Sequence, residues 1–209
     1  KNGDVMNNLK LTLISLSLVL VSGLSSAASI SGNAQLQSDY TWRGMTQNNG
    51  DASINGGLDV EFDSGVYVGT WVAAVGTGAE VDYYGGYAGS VGDIGFDIGY
   101  VKFDYPGVAG GGSDFEESYI GVDLPMGIGI SAAFGEETAT DNLEVSYGFD
   151  LGDGSVGLSM GEYDEVGDYF YITYDFSLGD FGITVGYTEF DAEAAGADED
   201  AFFVNVGLL

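Results

Sequence analysis

The sequence contains no cysteine and no histidine, and it has only four basic residues and two prolines in 209 positions. Without histidine or cysteine it cannot form a Ser-His-Asp or Cys-His nucleophile pair, a zinc site with nitrogen or sulfur ligands, a thiol redox centre, or haem ligation through those residues. The absence of these groups predicts a protein that is not an enzyme, with no catalytic residues, no cofactor and no metal site.

The scarcity of basic residues, set against 33 acidic ones, gives a formal net charge of −29. Nucleic-acid binding requires Lys and Arg to neutralise phosphates, so nucleic acid is excluded as a partner. Many highly charged chains are disordered, but 45% of these residues are hydrophobic and 13% are aromatic, which is enough apolar material for an ordered fold. The length is typical of a single all-β domain, so we expect one folding unit.

The N-terminal region has the order of a secretory leader. A short basic segment, MNNLK from Met6, precedes an apolar run, LTLISLSLVLVSGL, and then small residues, SSAAS. Cleavage is expected after Ala27 or Ala28. A transmembrane helix is the alternative, but about 14 apolar residues fall short of the roughly 20 that span a bilayer. We therefore predict a signal peptide at 6–28 and a mature domain at 29–209 that is exported through the periplasm.

Apolar and polar residues alternate along the mature chain, which is the period of a β-strand with one apolar face. From 30 to 43 the apolar face carries Ile30, Gly32, Ala34, Leu36, Ser38, Tyr40 and Trp42, and the polar face includes Asp39 and Arg43. A strand of this length suits a tilted membrane crossing better than a soluble sheet. Twelve such segments are predicted, at 30–44, 52–62, 66–75, 79–89, 94–105, 114–124, 128–136, 142–151, 155–163, 168–178, 181–190 and 200–208.

Short turns rich in Gly and Asp alternate with longer polar loops along most of the chain, as in outer-membrane barrels. Aromatic residues of the apolar face form two expected belts, one towards the loops (Trp42, Tyr100, Phe134 and Tyr187) and one towards the turns (Phe62, Phe149, Phe176 and Phe181). A soluble β-sandwich shares the alternation but does not predict the belts or the long strands. We therefore predict an all-β fold, a transmembrane antiparallel up-and-down β-barrel of about 12 strands.

Three segments depart from regular alternation. Segments 66–75 and 114–124 alternate poorly. In segment 94–105 the apolar phase changes after Tyr100, so that Val101, Phe103 and Tyr105 continue the apolar face. A β-bulge would produce this change, and one is predicted there.

Four stretches resemble a known family: SDYTWRGMTQ (38–47), GGLDVEFDSGVYVGTWVAAV (56–75), EVDYYGGYAGSVGDIGFDIGYVKFDYPG (80–107) and EESYIGVDL (116–124). They are similar to the TorF family of porins, also known as the Gcw_chp family of bacterial outer-membrane proteins. The resemblance covers nearly all of the mature chain. It implies a Gram-negative outer-membrane barrel that acts as a channel, and it supplies no catalytic or ligand-binding residue.

If the apolar face meets lipid, the other face lines the lumen. The candidate lumen-lining residues are Asp39, Arg43, Asp59, Glu61, Glu80, Asp82, Asp97, Glu144, Asp150 and Asp175. Carboxylates in a water-filled pore attract cations and repel anions, so an open lumen is expected to prefer cations. The alternative is a lumen closed by its own side chains, including inward tyrosines and Trp71. Arg43 either narrows the pore or contacts an anionic solute, or it serves as a structural ion-pair partner, which is the interpretation we favour.

The expected function is therefore a porin-like channel for passive diffusion of small solutes or ions in the cell outer membrane of a Gram-negative bacterium. The alternative is a non-conducting structural or adhesion barrel that displays acidic loops. Expected partners are outer-membrane lipid, small solutes or cations, and the barrel-assembly machinery during biogenesis. The sequence predicts no oligomeric state and no particular solute.

Overall fold

The computed structural model describes residues 28–108, 114–136 and 139–208, and every regular element in these ranges is a β-strand. The predicted signal peptide lies outside the described residues, apart from Ala28 at the start of the first strand. The strands are β1 (Ala28–Gln37), β2 (Thr41–Trp42), β3 (Met45–Thr46), β4 (Ser53–Phe62), β5 (Val66–Val75), β6 (Gly78–Val91), β7 (Ile94–Asp104), β8 (Phe115–Leu124), β9 (Ile128–Glu136), β10 (Asn142–Leu151), β11 (Gly154–Tyr163), β12 (Gly167–Leu178), β13 (Phe181–Ala192) and β14 (Glu199–Leu208).

Twelve of these strands form one closed antiparallel barrel, in the order β1-β14-β13-β12-β11-β10-β9-β8-β7-β6-β5-β4. Consecutive barrel strands are neighbours, and β1 closes the sheet against β14 through Gln35, Leu36 and Gln37. The short strands β2 and β3 pair only with each other. The all-β, 12-stranded barrel predicted from the sequence is confirmed.

Alternation along each strand separates an outward from an inward face. On β4, Ile54 and Leu58 are 70% and 62% exposed, whereas Ser53 and Asn55 are buried. An exposed apolar face on a closed barrel is typical of a protein surrounded by lipid. No helix in the described part of the chain is long and apolar enough to cross a membrane.

The first strand ends earlier than predicted. Instead of continuing from 30 to 44, β1 ends at Gln37, and residues 38–50 turn into the barrel. A hairpin that points inward also alternates, because its two sides meet different environments, so the sequence pattern did not mark the end of the strand. As a result, Tyr40 and Trp42 lie inside the barrel, and the placement of Trp42 in the outer aromatic belt is wrong.

The predicted bulge in 94–105 is also wrong. The register between β6 and β7 runs without interruption from Val81 opposite Asp104 to Val91 opposite Ile94. Phe103 therefore stays on the inward face, where it is buried. The apparent change of phase arises because apolar residues occupy inward positions at this end of β7.

Candidate functional site

Residues 38–50 form a hairpin inside the barrel, here called the inner hairpin. It leaves the wall at Ser38, whose N–H donates to the carbonyl of Val204 at 2.9 Å. Within it, Thr41 pairs with Thr46 and Trp42 with Met45. The hairpin enters from the end of the barrel that carries the longer connections (105–114, 137–141 and 193–198), which we call the loop end; the opposite end is the turn end.

The tip of the inner hairpin is a two-residue turn at Arg43 and Gly44, with φ of 48° and 84°. Positive φ at both positions is the signature of a type I′ turn. A Cβ on Gly44 would lie 2.7 Å from Cβ of Tyr169 and 3.0 Å from Cβ of Phe190. The N–H of Gly44 donates to the Tyr171 hydroxyl at 2.8 Å. The tip is thus seated tightly against β12 and β13, in a place that only glycine can occupy.

Trp42 packs in an aromatic cluster on the barrel wall. Its ring lies 6.0 Å from Phe103, 6.0 Å from Phe115 and 5.6 Å from Tyr163, measured between ring centroids. Phe103 and Phe115 stack on each other at 4.3 Å. Rings at these separations attract one another beyond the area that they bury. The inward apolar residues of β7 and β8 are therefore a seat for the inner hairpin.

Arg43 makes the strongest polar contact of the hairpin. Its Nη1 and Nη2 donate to Oε1 and Oε2 of Glu117 at 2.7 and 2.8 Å. The guanidinium carbon lies 4.2 Å from the Trp42 ring and 4.6 Å from the Tyr163 ring. The side chains of Arg43 and Glu117 are 9% and 3% exposed, so the pair is shielded from water. Arg43 is therefore a structural ion-pair partner in this state of the protein.

Tyr40 anchors the base of the hairpin. Its hydroxyl donates to Glu80 at 2.8 Å, and the Tyr105 hydroxyl donates to the other oxygen of the same carboxylate. Burial, and then the charge of Glu80, raise the pKa of the Tyr40 and Tyr105 phenols above the ordinary value, so both remain protonated donors. The Tyr40 ring also meets Trp71 edge-on, at 5.4 Å between centroids.

Asp39 and Thr46 tie the two sides of the hairpin together. The Thr46 hydroxyl donates to Asp39 at 2.6 Å, and the Thr46 N–H donates to Glu199 of β14 at 2.9 Å. The carbonyl of Gln47 accepts from the N–H of Gly76 at 3.0 Å. Contacts to β5, β6, β8, β12 and β14 thus hold the hairpin across the interior.

The other predicted residues lie on inward positions of the strands, and most accept hydrogen bonds from neighbouring side chains. Asp59 accepts from Tyr84 at 2.5 Å and Asp97 from Tyr67 at 2.7 Å. Glu144 accepts from Tyr169 at 3.0 Å. Asp175 accepts from Thr173 at 3.0 Å and from Thr184 at 2.5 Å. Glu61 and Asp150 are exposed near the turn end.

Asp82 differs from these carboxylates. It is 8% exposed, and its Oδ1 has no hydrogen-bond partner among the described residues. It lies opposite Trp71 on β5 and Phe103 on β7, both of which contact aromatic rings of the inner hairpin. No group of three or more acidic side chains in the described ranges is arranged to hold a metal ion.

Glycines on the inward face let aromatic rings lie flat against the wall. The hydroxyl of Tyr67 lies over Gly86 and that of Tyr119 over Gly99, so closely that a Cβ on either glycine would clash. The two hydroxyls meet at 2.5 Å above these strands. These glycines therefore permit a close approach of the two tyrosine rings to the barrel wall.

Two cavities lie along the inward side of β10 to β13. One of about 570 Å³, near the turn end, is lined by Asp150, Ser155, Asp175 and Thr184 among others. The other, of about 360 Å³, is lined by Glu144, Ser146, Ser159 and Thr173 among others. Polar side chains and carboxylates therefore surround the space between the inner hairpin and the turn end.

Sequence reasoning missed Glu117, the partner of Arg43, because the two residues are 74 positions apart and many carboxylates share the inward face. It also missed the inward roles of Tyr40 and Trp42. A usable signal was present: β5, β7 and β8, which alternate poorly, carry the apolar side chains Trp71, Phe103 and Phe115 that contact the hairpin. Lys102, whose side was not predicted, is 41% exposed and lies 3.6 Å from Asp104.

Comparison with solved structures finds bacterial porins and an attachment protein. A triple mutant of the Rh. blastica porin matches with 14% identity and a TM-score of 0.40, covering 87% of this chain and 98% of that one. A BenF-like porin from Pseudomonas fluorescens Pf-5 matches with 9% identity and a TM-score of 0.40, covering 88% and 64%. The attachment invasion locus protein Ail of Yersinia pestis matches with 13% identity and a TM-score of 0.17, covering 87% and 94%.

Comparison with curated proteins finds no match. A family model described as "Bacterial protein of unknown function (Gcw_chp)" matches residues 22–203. Because this match spans most of the chain, the resemblance to the Gcw_chp family is confirmed, and the protein belongs to that family.

Proposed function

We propose that this protein is a porin-like channel of the bacterial outer membrane that passes small solutes or ions by passive diffusion and prefers cations. The observation that carries the proposal is the charge of the barrel interior. Inward carboxylates come from β4, β6, β7, β8, β10 and β12. The basic side chain that lies inside the barrel in the described residues, Arg43, is already neutralised by Glu117.

The arrangement of the interior supports a solute path. From the turn end, inward rings lie along the wall over glycines, and polar cavities of about 570 and 360 Å³ adjoin β10 to β13. Twelve-stranded barrels are wider than eight-stranded ones, whose side chains fill the interior. The inner hairpin then forms the narrowest part of the path, at the loop end.

The sign of the interior charge determines the expected preference. Carboxylates in a narrow, water-filled passage with low-dielectric walls raise the local concentration of cations and repel anions. Asp150 and Glu61, which are exposed near the turn end, are placed to act on ions entering there. Cations and neutral solutes are therefore the proposed cargo, and the proposal requires no catalytic residue, cofactor or metal.

The proposed location follows from the outward face. An apolar exterior, an even number of strands and tight turns at one end are typical of barrels in bacterial outer membranes. Lipid is thus the proposed partner of the outward face. Export through the periplasm and insertion by the barrel-assembly machinery belong to the same proposal.

A non-conducting barrel that displays acidic loops is the second candidate, and the packing of the inner hairpin favours it. The Arg43–Glu117 pair and the Trp42 cluster occupy the interior at the loop end. If the hairpin never leaves this position, the barrel would serve as a scaffold for its loops. The two candidates differ in conductance, which can be measured.

The test is the single-channel conductance of the refolded mature protein in a planar bilayer, with charge variants. Asp175→Asn removes a carboxylate from the wall of the larger cavity and is expected to lower the preference for K⁺ over Cl⁻. Asp191→Asn, at an exposed outward position of β13, removes the same charge elsewhere and should leave the preference unchanged. Equal effects of the two variants would refute the proposal that interior charge sets selectivity. Silence of the protein even when the hairpin is loosened would favour the scaffold.

A further inference from the structure

The position of Arg43 defines a site on the barrel wall that is complementary to a guanidinium group. Glu117 on β8 accepts two parallel hydrogen bonds, at 2.7 and 2.8 Å. The guanidinium carbon of Arg43 lies over the ring of Tyr163 on β11, 4.6 Å from the ring centroid. Glu144 on β10 is close enough to interact electrostatically with Arg43. All three are residues of the barrel wall, and none belongs to the inner hairpin.

This set of groups favours guanidinium over other cations. A carboxylate that accepts two parallel N–H bonds matches the planar fork of a guanidinium, whereas an ammonium group presents a compact charge. An aromatic face adds a cation–π contact with the same plane. Glu117 is 3% exposed while Arg43 covers it, so departure of the hairpin opens this carboxylate to solutes in the barrel interior.

We propose that Glu117 and Tyr163 form a binding site for the guanidinium group of a solute, and that such a solute competes with Arg43 and releases the inner hairpin. This inference rests on the proposed function, because it takes the barrel interior as the solute path. The solute class is a small guanidino compound or a short basic peptide. Arg43 acts as a tethered occupant of the site, and its displacement admits the solute that replaces it.

Because Arg43 is attached to the chain beside the site, a free guanidinium is expected to bind more weakly to the wild type than to a variant without Arg43. A group held by a short linker competes at an effective concentration in the millimolar range. Because contacts of Tyr40, Trp42 and Gly44 also hold the hairpin, a free guanidinium must reach at least millimolar concentrations to displace Arg43 from the wild-type protein. It should bind at lower concentration when residue 43 no longer carries the group.

The key variant is Arg43→Asn. Asn followed by Gly is the preferred pair for a type I′ turn, so this change removes the guanidinium and preserves the turn. The chain has two tryptophans, and both report on the hairpin: Trp42 lies on it, and Trp71 contacts Tyr40 at its base. Acrylamide quenching of tryptophan fluorescence in detergent micelles therefore follows the hairpin without depending on conductance.

The probe is methylguanidinium, with methylammonium as the matched control cation. In Arg43→Asn, methylguanidinium is expected to change the fluorescence saturably at a lower midpoint than in the wild type, and methylammonium is not. The double variant Arg43→Asn/Glu117→Gln should lose this response. Arg43→Lys gives a second background, which keeps the charge but lacks the fork, and it should also respond to methylguanidinium.

Equal responses to the two cations, or an unchanged response in the Glu117→Gln background, would overturn the proposal. Heat-modifiable migration on a detergent gel verifies that each variant has a folded barrel. The outcome is separable from that for the channel function, since binding is read in micelles and cation preference in bilayers. Saturable binding with a silent bilayer would retain the site and reject the channel.

Discussion

Gly44→Ala is the change expected to loosen the inner hairpin with the least chemical alteration. Gly44 has a φ of 84°, and an added Cβ would lie 2.7 Å from Tyr169 Cβ and 3.0 Å from Phe190 Cβ. A non-glycine residue in this left-handed conformation costs about 1–2 kcal/mol. Forcing a methyl group into a packed position costs about 1–3 kcal/mol more. The sum, about 2–5 kcal/mol, lowers the ratio of seated to released hairpin by roughly 30-fold or more.

Acrylamide quenching of tryptophan fluorescence measures this shift, because Trp42 leaves its aromatic cluster when the hairpin is released. Gly196→Ala is the matched control: Gly196 has a φ of 81°, but nothing lies within 4 Å of an added Cβ. We expect stronger quenching and higher conductance for Gly44→Ala than for wild type, and neither for Gly196→Ala. Identical quenching of the two variants would refute the reasoning that the seat of the hairpin depends on Gly44.

Three further changes test other parts of the structure. Trp42→Ala removes the ring that contacts Phe103, Phe115 and Tyr163. Loss of about 3–5 kcal/mol of packing energy should release the hairpin and raise the conductance. An unchanged conductance would contradict a seated hairpin. Leu58→Lys places a charge on the outward face and should destabilise the barrel by about 2–4 kcal/mol. Asn33→Lys, on the inward face of β1, should be tolerated. Urea unfolding midpoints in lipid vesicles measure both variants, and equal losses of stability would argue against a lipid-facing exterior. Tyr67→Phe removes the hydrogen bonds to Asp97 and Tyr119 and should lower the free energy of unfolding by about 1–3 kcal/mol in the same assay. Tyr83→Phe, at an outward position, should be nearly neutral. A larger loss for Tyr83→Phe than for Tyr67→Phe would contradict a stabilising role of these hydrogen bonds.

The barrel could be predicted from the sequence because each strand has an apolar outward face and a largely polar inward face. This difference between the two faces produces an alternation of apolar and polar residues along each strand, and hairpin turns mark the ends of the strands. The bounds of β5, β9 and β10 agree with the predicted segments 66–75, 128–136 and 142–151. Alternation also assigns each carboxylate to one face, since a residue's parity along an uninterrupted strand fixes its side.

The inner hairpin could not be predicted in this way. Its alternation continues that of β1, so the end of the strand at Gln37 leaves no mark in the pattern. Whether Arg43 meets Glu117 or another carboxylate depends on how far the hairpin reaches across the interior, which is a tertiary property. The bulge predicted in 94–105 was wrong for the same reason. Phe103 is an apolar residue on the inward face, where it packs against Trp42 of the hairpin. The breaks in alternation on β5, β7 and β8 therefore mark the part of the barrel wall that the hairpin covers.

The Arg43–Glu117 pair affects how readily the inner hairpin can leave the barrel interior. Release of the hairpin breaks two hydrogen bonds between charged groups, each worth about 1.5–3 kcal/mol. A hairpin held by this pair, by the Trp42 cluster and by the Gly44 seat is expected to stay in place for most of the time. Conductance of the wild type should therefore be small, and variants that weaken any one of these contacts should increase it.

The reversal potential across a planar bilayer with a tenfold KCl gradient is the most direct test of the central claim, that the acidic interior selects cations. The Gly44→Ala variant should be measured beside the wild type, so that a closed hairpin does not obscure the result. We predict a reversal potential displaced towards the potassium equilibrium potential, whose limit is roughly 59 mV. Displacement towards the chloride equilibrium potential, or a potential of zero, would contradict the account.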